Sequence, residues 1–366
     1  MEEKLNKLLS AVSPLDDAAM EKARERQAQL AKPPGSLGRL EDLSVQLAGI
    51  TGRVHNKMEK THLLVFAADN GVVDEGVSCA PRSVTLQQAI NMTRRRTGMS
   101  AMAAAFGDDV AVVDVGIAAD VPGVGILDRK VRRGTGNIAV EDAMTRPEAL
   151  AAMAAGMEQA ARARADSITA LGIGEMGIGN TSTSAAVLSA LTGADIEAVT
   201  GRGGGLTDEG FARKKDVLRR ALTRRAVDKD DVLDVLCAVG GLDIAAMAGA
   251  FLGCAHERIP AAVDGFISVV AALCAVTLCP EVRDYLFLSH DSYEVGYRLA
   301  ADRLGLEPCL HLGMRLGEGS GCPLLFRVLE GACGVMAGMA TFAQAAIQDD
   351  YLDEIRAGDS FTVDKP

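Results

Sequence analysis

The chain has 366 residues, of which 48% are hydrophobic and 24% charged, a balance typical of a globular protein. A net charge of −11, no tryptophan and only 4% aromatic residues argue against a nucleic-acid partner, which needs positive charge and stacking side chains. No run of 18 apolar residues occurs, and the first residues lack the basic and apolar regions of a signal peptide. We therefore expect no membrane partner and a cytoplasmic location.

Eight cysteines and five histidines are scattered without CxxC, HxxxH or HExxH spacing. The cysteines mostly lie in apolar runs, which predicts reduced, buried thiols rather than disulfides. The same dispersion predicts that the chain has no metal site.

The first fifty residues have the apolar spacing of helices, carried by Leu5, Leu8, Leu9, Leu40, Leu43 and Leu47. The Pro-Pro-Gly sequence within residues 32–38 breaks this pattern and predicts a turn. Residues 324–347 also indicate a helix, which we expect to pack with the N-terminal helices.

Between these ends, short apolar runs alternate with alanine-rich helical stretches. The runs predict strands at 62–68, 110–115, 167–171, 261–264 and 285–289, and the helical stretches include 147–164 and 185–191. This alternation predicts an α/β fold with a parallel sheet covered by helices on both faces. Ligands of such sheets bind at the carboxyl ends of the strands, where this chain has its glycine-rich loops.

Residues 171–184, LGIGEMGIGNTSTS, form the densest of these predicted loops. Gly172, Gly174 and Gly177 make a GxGxxG pattern, and Asp195 follows at the distance of a ribose-binding acid, which favours a nicotinamide-dependent oxidoreductase. Glu175 argues against this interpretation because a carboxylate repels phosphate. Gly177 and Gly179, followed by Asn-Thr-Ser-Thr-Ser, also fit a site for a single phosphate or ribose. A purely structural turn without a ligand is a further alternative.

Three further loops carry polar residues. Residues 200–210 contain five glycines, and Lys214 follows with a charge suited to phosphate, unless it simply begins a solvated basic helix. Asp264 ends one predicted strand. His290 and Ser292 follow another, but no GxSxG elbow is present, so we interpret His290 as a structural or hydrogen-bonding residue.

The segment 315–321, RLGEGSG, places one carboxylate, Glu318, between two glycines. A lone carboxylate in an open loop is a candidate general base, although most loop glutamates simply face water.

With these segments in view, the chain resembles the nicotinate-nucleotide:dimethylbenzimidazole phosphoribosyltransferases, which make the lower-ligand nucleotide of cobalamin. The order and spacing of the motifs carry the resemblance: LAKPPGSLGRLEDLSVQLAG, FAADNGV, VTLQQAINMTR, VVDVGI, GIGEMGIGNTS, VGGLDIAAMAG, VDGFIS, SHDSYEVG and LGLEPCLHLGMRLGEGSG. It implies a Rossmann-like sheet with a small helical subdomain, built from segments 1–58 and 300–366 around an α/β domain at 59–299. It also implies a homodimer that uses nicotinate mononucleotide and an aromatic base, with no cofactor and no metal.

The resemblance also implies roles for individual residues. Glu318 matches the catalytic glutamate, which would accept the proton of the attacking base while the ribose C1′ inverts. The nucleotide-binding loops match at Glu175, Gly177, Asn180, Thr181, Gly203, Lys214 and Ser292, with the phosphate expected near Gly203, Lys214 and Ser292. The base pocket matches at Gln88, Met176, Leu316 and Ala80.

This chain departs from better-known members at three positions, where it has Asn70, Ala80 and Ser182. Ala80 replaces a serine and removes a hydroxyl from the base pocket, although Ser78 is close enough in sequence to compensate. The preferred base is therefore open, and purines, other benzimidazoles and phenols are alternatives. A non-catalytic nucleotide carrier is a further alternative, which the intact RLGEGSG segment disfavours.

Overall fold

A computed structural model describes residues 2–123, 125–224 and 226–353. The chain forms two compact units. The larger contains the residues up to Ser13 together with Lys60–Leu325, and the smaller contains Pro14–Glu59 together with the described residues from Phe326 onward. These boundaries differ from the predicted ones, since the residues up to Ser13 and residues 300–325 belong to the larger unit.

The larger unit is built on a six-stranded sheet. Its strands are β1 (Thr61–Ala68), β2 (Asp109–Gly116), β3 (Leu127–Asp128), β4 (Ala170–Met176), β5 (Ala261–Val263) and β6 (Leu286–Leu288). The strands are all parallel, in the order β3-β2-β1-β4-β5-β6. This is the strand order of the doubly wound Rossmann fold, whose ligand crevice opens beside the central strands where the order reverses. The predicted α/β fold and parallel sheet are thus confirmed.

Fourteen α-helices are described. They are α1 (Glu2–Leu9), α2 (Asp17–Gln29), α3 (Arg39–Thr51), α4 (Ser83–Thr93), α5 (Gly98–Phe106), α6 (Arg146–Ala165), α7 (Asn180–Thr192), α8 (Ile196–Val199), α9 (Asp208–Thr223), α10 (Val232–Val239), α11 (Leu242–His256), α12 (Phe266–Leu278), α13 (Tyr297–Leu304) and α14 (Cys322–Gly338). The connection from β1 to β2 leads toward the β3 edge of the sheet. The connections from β3 to β4, from β4 to β5 and from β5 to β6 lead toward the β6 edge. Right-handed crossovers therefore put α4 and α5 on one face and α6, α11 and α12 on the other. None of the helices in the described part of the chain is long and apolar enough to cross a membrane.

Most predicted elements are present, with shifted limits. The strand predicted at 167–171 instead runs through Ala170–Met176, so Gly172 and Gly174 are strand residues rather than loop residues. Helix α7 begins at Asn180, five residues earlier than predicted, and α14 ends at Gly338 rather than near residue 347. Strand β3 was not predicted, because two residues are too short to show a periodic pattern.

Helices α6 and α11 cross at close range because glycines lie on both sides of the contact. A Cβ added at Gly156 would lie 1.9 Å from the carbonyl oxygen of Ala246, and one added at Gly249 would lie 2.0 Å from that of Met153. Real Cβ atoms do not approach backbone this closely, so any side chain at either position forces the helices apart.

We expect Gly156→Ala to destabilise the protein by about 1–3 kcal/mol, the usual cost of overpacking a filled core. The matched control is Gly334→Ala in α14, where an added Cβ meets nothing within 4 Å. There the substitution should stabilise the helix by roughly 0.5–1 kcal/mol. Chemical denaturation of both variants tests the pair, and equal stability of the two would contradict the close crossing.

In the smaller unit, the part of helix α14 from Phe326 onward packs against α2 and α3. Met336 joins Ala19 and Ala23 of α2 and Ala48 of α3 in one buried cluster. This confirms that the C-terminal helix packs with N-terminal helices. Helix α1 is the exception, since it belongs to the larger unit, where Glu2 forms a 2.6 Å ion pair with Arg146 at the start of α6.

Candidate active site

A cavity of about 260 Å³ opens at the carboxyl ends of the central strands, within the larger unit. Most of the predicted site residues line it: Ala80, Gln88, Glu175, Met176, Asn180, Thr181, Gly203, Ser292, Leu316 and Glu318. Two predicted residues, Gly177 and Lys214, lie outside this lining. Gly177 packs against the end of β1, since a Cβ there would be 2.5 Å from the carbonyl oxygen of Ala68.

The Glu318 loop has an uncommon backbone conformation. Gly317, Glu318 and Gly319 all have positive φ, at 80°, 64° and 86°. Glycine adopts this left-handed region freely, but at a residue with a side chain it costs roughly 1–3 kcal/mol and is found mainly where surrounding structure imposes it. The backbone N–H of Glu318 donates to Oε1 of Glu175 at 3.3 Å, one of the contacts that hold the loop.

The Glu318 side chain points at the N-terminus of helix α5. Its Oε2 accepts a hydrogen bond from the backbone N–H of Met99 at 3.2 Å, and Met99 lies between Thr97 and Ser100, the two residues of the capping box of α5. The residue is only 6% exposed, yet it lines the cavity. Burial raises the pKa of Glu318 and nearby Asp264 adds to the rise, while the Met99 and Thr97 hydrogen bonds oppose it. The result is a carboxylate more basic than usual.

Glu175 and Asp243 form a buried acidic pair joined by Asn180. The Asn180 Nδ2 donates to Glu175 and, at 3.0 Å, to Oδ2 of Asp243. Burial raises the pKa of Glu175 to about 8, with the charges of Asp243 and Asp264 adding to the rise. Burial likewise raises the pKa of Asp243 to about 6. Near neutral pH, Glu175 is therefore mostly protonated, which removes the charge that would repel an anionic ligand.

Lys214 lies directly behind the cavity wall. It is 1% exposed, and its Nζ donates to the Thr181 hydroxyl at 2.9 Å and to the Gly201 carbonyl at 3.0 Å. A Cβ at Gly203 would lie 3.6 Å from this Nζ, so the glycine leaves the approach open. Burial lowers the pKa of Lys214 to about 8, and the charge of Glu294 opposes the shift. This is a poorly hydrated cation beside two lining residues, Thr181 and Gly203.

The cavity also has an apolar wall, separate from the polar residues described above. Val84, Met176 and Leu316 line it, and Gln88 contributes an amide whose Oε1 accepts from Asn91 at 3.0 Å. Ala80 also lines the wall, and its backbone N–H donates to the Ser78 hydroxyl at 3.2 Å. An apolar slot with few polar groups fits a flat aromatic ring.

His290 is a buried hydrogen-bonded residue, as its sequence context predicted. Its Nδ1 lies 3.0 Å from the Ser289 hydroxyl and 3.8 Å from a carboxylate oxygen of Asp264. Among the described residues, no group of three or more His, Cys, Asp or Glu side chains is arranged to hold a metal ion.

A family model described as "Phosphoribosyltransferase" matches residues 12–347. The chain belongs to this phosphoribosyltransferase family. It is 45% identical over 359 residues to the nicotinate-nucleotide–dimethylbenzimidazole phosphoribosyltransferase of Clostridium perfringens strain 13, covering 98% of this chain and 99% of the relative. The enzyme of the same name from Desulforudis audaxviator is 47% identical over 94% of this chain and 98% of its own length. The crystal structure of the corresponding enzyme from Thermus thermophilus superimposes with a TM-score of 0.86 at 41% identity, covering 91% of this chain and 99% of that one.

Membership of the phosphoribosyltransferase family corrects the oxidoreductase alternative, and the geometry explains the misleading motif. In a dinucleotide fold the glycines follow the strand, whereas here Gly172 and Gly174 lie inside β4. Gly174 is required for another reason, since a Cβ there would be 2.6 Å from the Cα of Gly319. Asp195 caps the short helix α8 by accepting the N–H of Glu197 at 3.0 Å.

The residues that support Glu318 were not predicted from the sequence. Asp264 lines the cavity and accepts two backbone hydrogen bonds from the loop around Glu318, but only its position at a strand end was noted. Helix α5, whose first turn binds the Glu318 carboxylate, was not singled out either. The Thr97 to Ser100 capping signal was present in the sequence, but nothing local connected it to a residue more than 200 positions later.

Proposed function

We propose that this family member transfers the phosphoribosyl group of nicotinate mononucleotide to 5,6-dimethylbenzimidazole or a similar base, releasing nicotinate. The product would be an α-riboside 5′-phosphate for the nucleotide loop of cobalamin. The observation that carries the proposal is the Glu318 carboxylate, which a loop with three consecutive positive φ angles holds in a cavity lined by both polar and apolar residues. The names of the relatives, which match along nearly their whole length, supply the substrates.

In the proposed reaction, the free ring nitrogen of the base attacks the ribose C1′ from the face opposite the nicotinate. The C1′–N bond to the pyridinium breaks, and its electron pair neutralises that ring, so the leaving group needs no acid. The base's other nitrogen must lose its proton, which Glu318 accepts. General-base help of this kind is worth typically 10²–10⁴-fold. Attack opposite the leaving group inverts C1′.

We propose that the nucleotide lies along Glu175, Asn180, Thr181, Gly203 and Ser292, with Lys214 behind its phosphate. The support is chemical. Helix α7 begins at Asn180 without a side-chain cap, so the positive end of its dipole is at the cavity. Lys214 adds a buried cation, and Ser292, which lines the cavity, adds a hydroxyl donor. Gly177 would act indirectly, by letting the chain turn tightly before α7.

We propose that the aromatic base lies against Gln88, Met176 and Leu316, with Ala80 tuning its identity. We expect Ala80→Ser to shift the ratio of kcat/KM between dimethylbenzimidazole and adenine about fivefold toward adenine, because one added hydroxyl can bond a polar purine. Competition between the two bases measures this ratio. The matched change Ser78→Ala should shift it the other way. An unchanged ratio in both variants would show that neither hydroxyl position faces the base.

The acid side of the pH profile follows from the environment of Glu318. Burial raises its pKa, so the carboxylate takes up a proton above the ordinary value of 4.5 and can then no longer accept one from the base. We expect kcat to fall as the pH drops through this raised pKa. Steady-state rates across the acid range with saturating substrates test this. A constant kcat down to pH 4.5 would contradict it.

We further propose that the active form is a cytoplasmic homodimer. The family resemblance implies it, and the exposed apolar side chains Tyr293, Val295, Leu312 and Leu316 offer apolar surface that a second copy could cover. Light scattering of the purified protein tests the dimer, and a monomer mass at working concentration would contradict it.

A further inference from the structure

Asp264, at the end of strand β5, contacts the Glu318 loop from beneath. It is 2% exposed and lines the cavity. Its Oδ2 accepts the backbone N–H of Gly319 at 3.0 Å, and its Oδ1 accepts that of Gly321 at 2.7 Å. Asp264 itself is fixed in place, because its backbone N–H donates to the Ser268 hydroxyl and its carbonyl accepts from the Ser289 hydroxyl.

The loop needs such an anchor because its conformation is unfavourable by itself. Glu318 has a left-handed φ of 64°, which a free chain would avoid. The Asp264 carboxylate binds N–H groups on the C-terminal side of this residue, and Glu175 Oε1 accepts the N–H of Glu318 itself. Charge-assisted hydrogen bonds are about twice as strong as neutral ones, so the two bonds to the Asp264 carboxylate can hold the strained turn.

The charge of Asp264 also reaches Glu318. Burial raises the pKa of Asp264, while His290 and the N–H groups of Gly321 and Gly319 oppose the rise and favour its ionised form. That negative charge adds to the raised pKa of Glu318. The other titratable groups that face Asp264 are Glu175 on β4, Tyr297 on α13 and Cys322 at the start of α14.

We propose that Asp264 is a positioning residue for the phosphoribosyl transfer, acting through Glu318 rather than on the substrate. Its two hydrogen bonds fix the left-handed loop that aims the Glu318 carboxylate into the cavity, and its charge makes that carboxylate a better proton acceptor. This inference rests on the proposed function and assigns a second carboxylate a separate task within it.

The test compares Asp264→Asn and Asp264→Glu with a matched control, Asp114→Asn. Asp114 lies near the end of β2, is 2% exposed and accepts two backbone N–H groups, from Gly116 and Ile117, but it does not line the cavity. We expect Asp264→Asn to lower kcat about 10- to 100-fold, the cost of a small misplacement of a catalytic group, with nucleotide KM within about twofold. The acid limb of its kcat profile should move to lower pH, because the charge that raises the pKa of Glu318 is gone.

Asp264→Glu keeps the charge but displaces both oxygens, so we expect kcat to fall while the acid limb stays in place. Asp114→Asn should leave kcat and the acid limb of the kcat profile unchanged. Wild-type kcat in Asp264→Asn, or a lowered kcat with an unmoved acid limb, would overturn the proposal. If Asp264→Asn does not fold, the proposal is tested by Asp264→Glu alone, and a wild-type kcat in that variant would overturn it. Loss of nucleotide binding in both variants would show that Asp264 has a purely structural role. An inactive wild-type protein would instead refute the proposed function.

Discussion

Replacement of Glu318 by glutamine is expected to lower kcat by at least about 100-fold while nucleotide binding is retained. Glutamine has nearly the same shape and can still accept the Met99 N–H, so the loop should keep its conformation. It cannot take a proton from the attacking base at any working pH. The residual rate then reports proximity and desolvation alone. Single-turnover product formation measures the effect on the chemical step, and calorimetry measures the effect on nucleotide binding.

A matched control for this change is Glu307→Gln, which alters an exposed carboxylate paired with Arg298 on the surface of the same unit. Its kcat should equal that of the wild type. Normal turnover in Glu318→Gln would show that another group, or water, accepts the proton. Loss of nucleotide binding in that variant would mean that Glu318 acts mainly in binding.

Replacement of Lys214 by methionine is expected to raise the KM for nicotinate mononucleotide by roughly 10- to 100-fold, with a smaller effect on kcat. A hydrogen bond to a charged group contributes about 1.5–3 kcal/mol, and methionine fills a similar volume without the charge. The wild-type kcat/KM for the nucleotide should also fall above about pH 8, because burial lowers the pKa of Lys214 to about 8 and the neutral amine no longer attracts phosphate. In the methionine variant the part of the alkaline limb due to Lys214 should disappear.

The adjacent lysine provides the control. Lys215 pairs with Glu197 at 2.8 Å and lies over the Phe211 ring, outside the cavity lining. Lys215→Met should leave KM near the wild-type value and cost only a little stability, as surface ion pairs usually do. Equal rises in KM for the two variants would point to a general electrostatic effect rather than to a phosphate contact.

The sequence predicted those site residues whose immediate neighbours in the chain give a recognisable pattern. Glu318 stands out because two glycines flank it, and those glycines are what permits the left-handed turn. Asp264 could be placed at a strand end but not assigned a partner, because the N–H groups that it binds lie 55 and 57 positions away. The sequence contains no local signal for contacts of that range.

Two misinterpretations have physical causes. Glycine is usually depleted in strands, so Gly172 and Gly174 suggested a loop, whereas in β4 the absence of a side chain lets the Gly319 backbone approach. Lys214 looked equally compatible with a solvated helix face. Its spacing was the overlooked signal: it lies on the stripe of α9 whose buried members continue with Val217, Leu218 and Ala221. A charged residue on a buried stripe indicates a specific partner.

The most direct test of the central claim is a chromatographic assay of the purified protein with nicotinate mononucleotide and a panel of dimethylbenzimidazole, other benzimidazoles, adenine and phenol. The account predicts release of one nicotinate for each new α-riboside 5′-phosphate, with no reaction in the absence of an acceptor base. The identity of the preferred base would show how Ala80 affects base selectivity. Nucleotide binding without product from any base would contradict the account and favour a carrier role. A β-riboside product would contradict the single displacement at C1′.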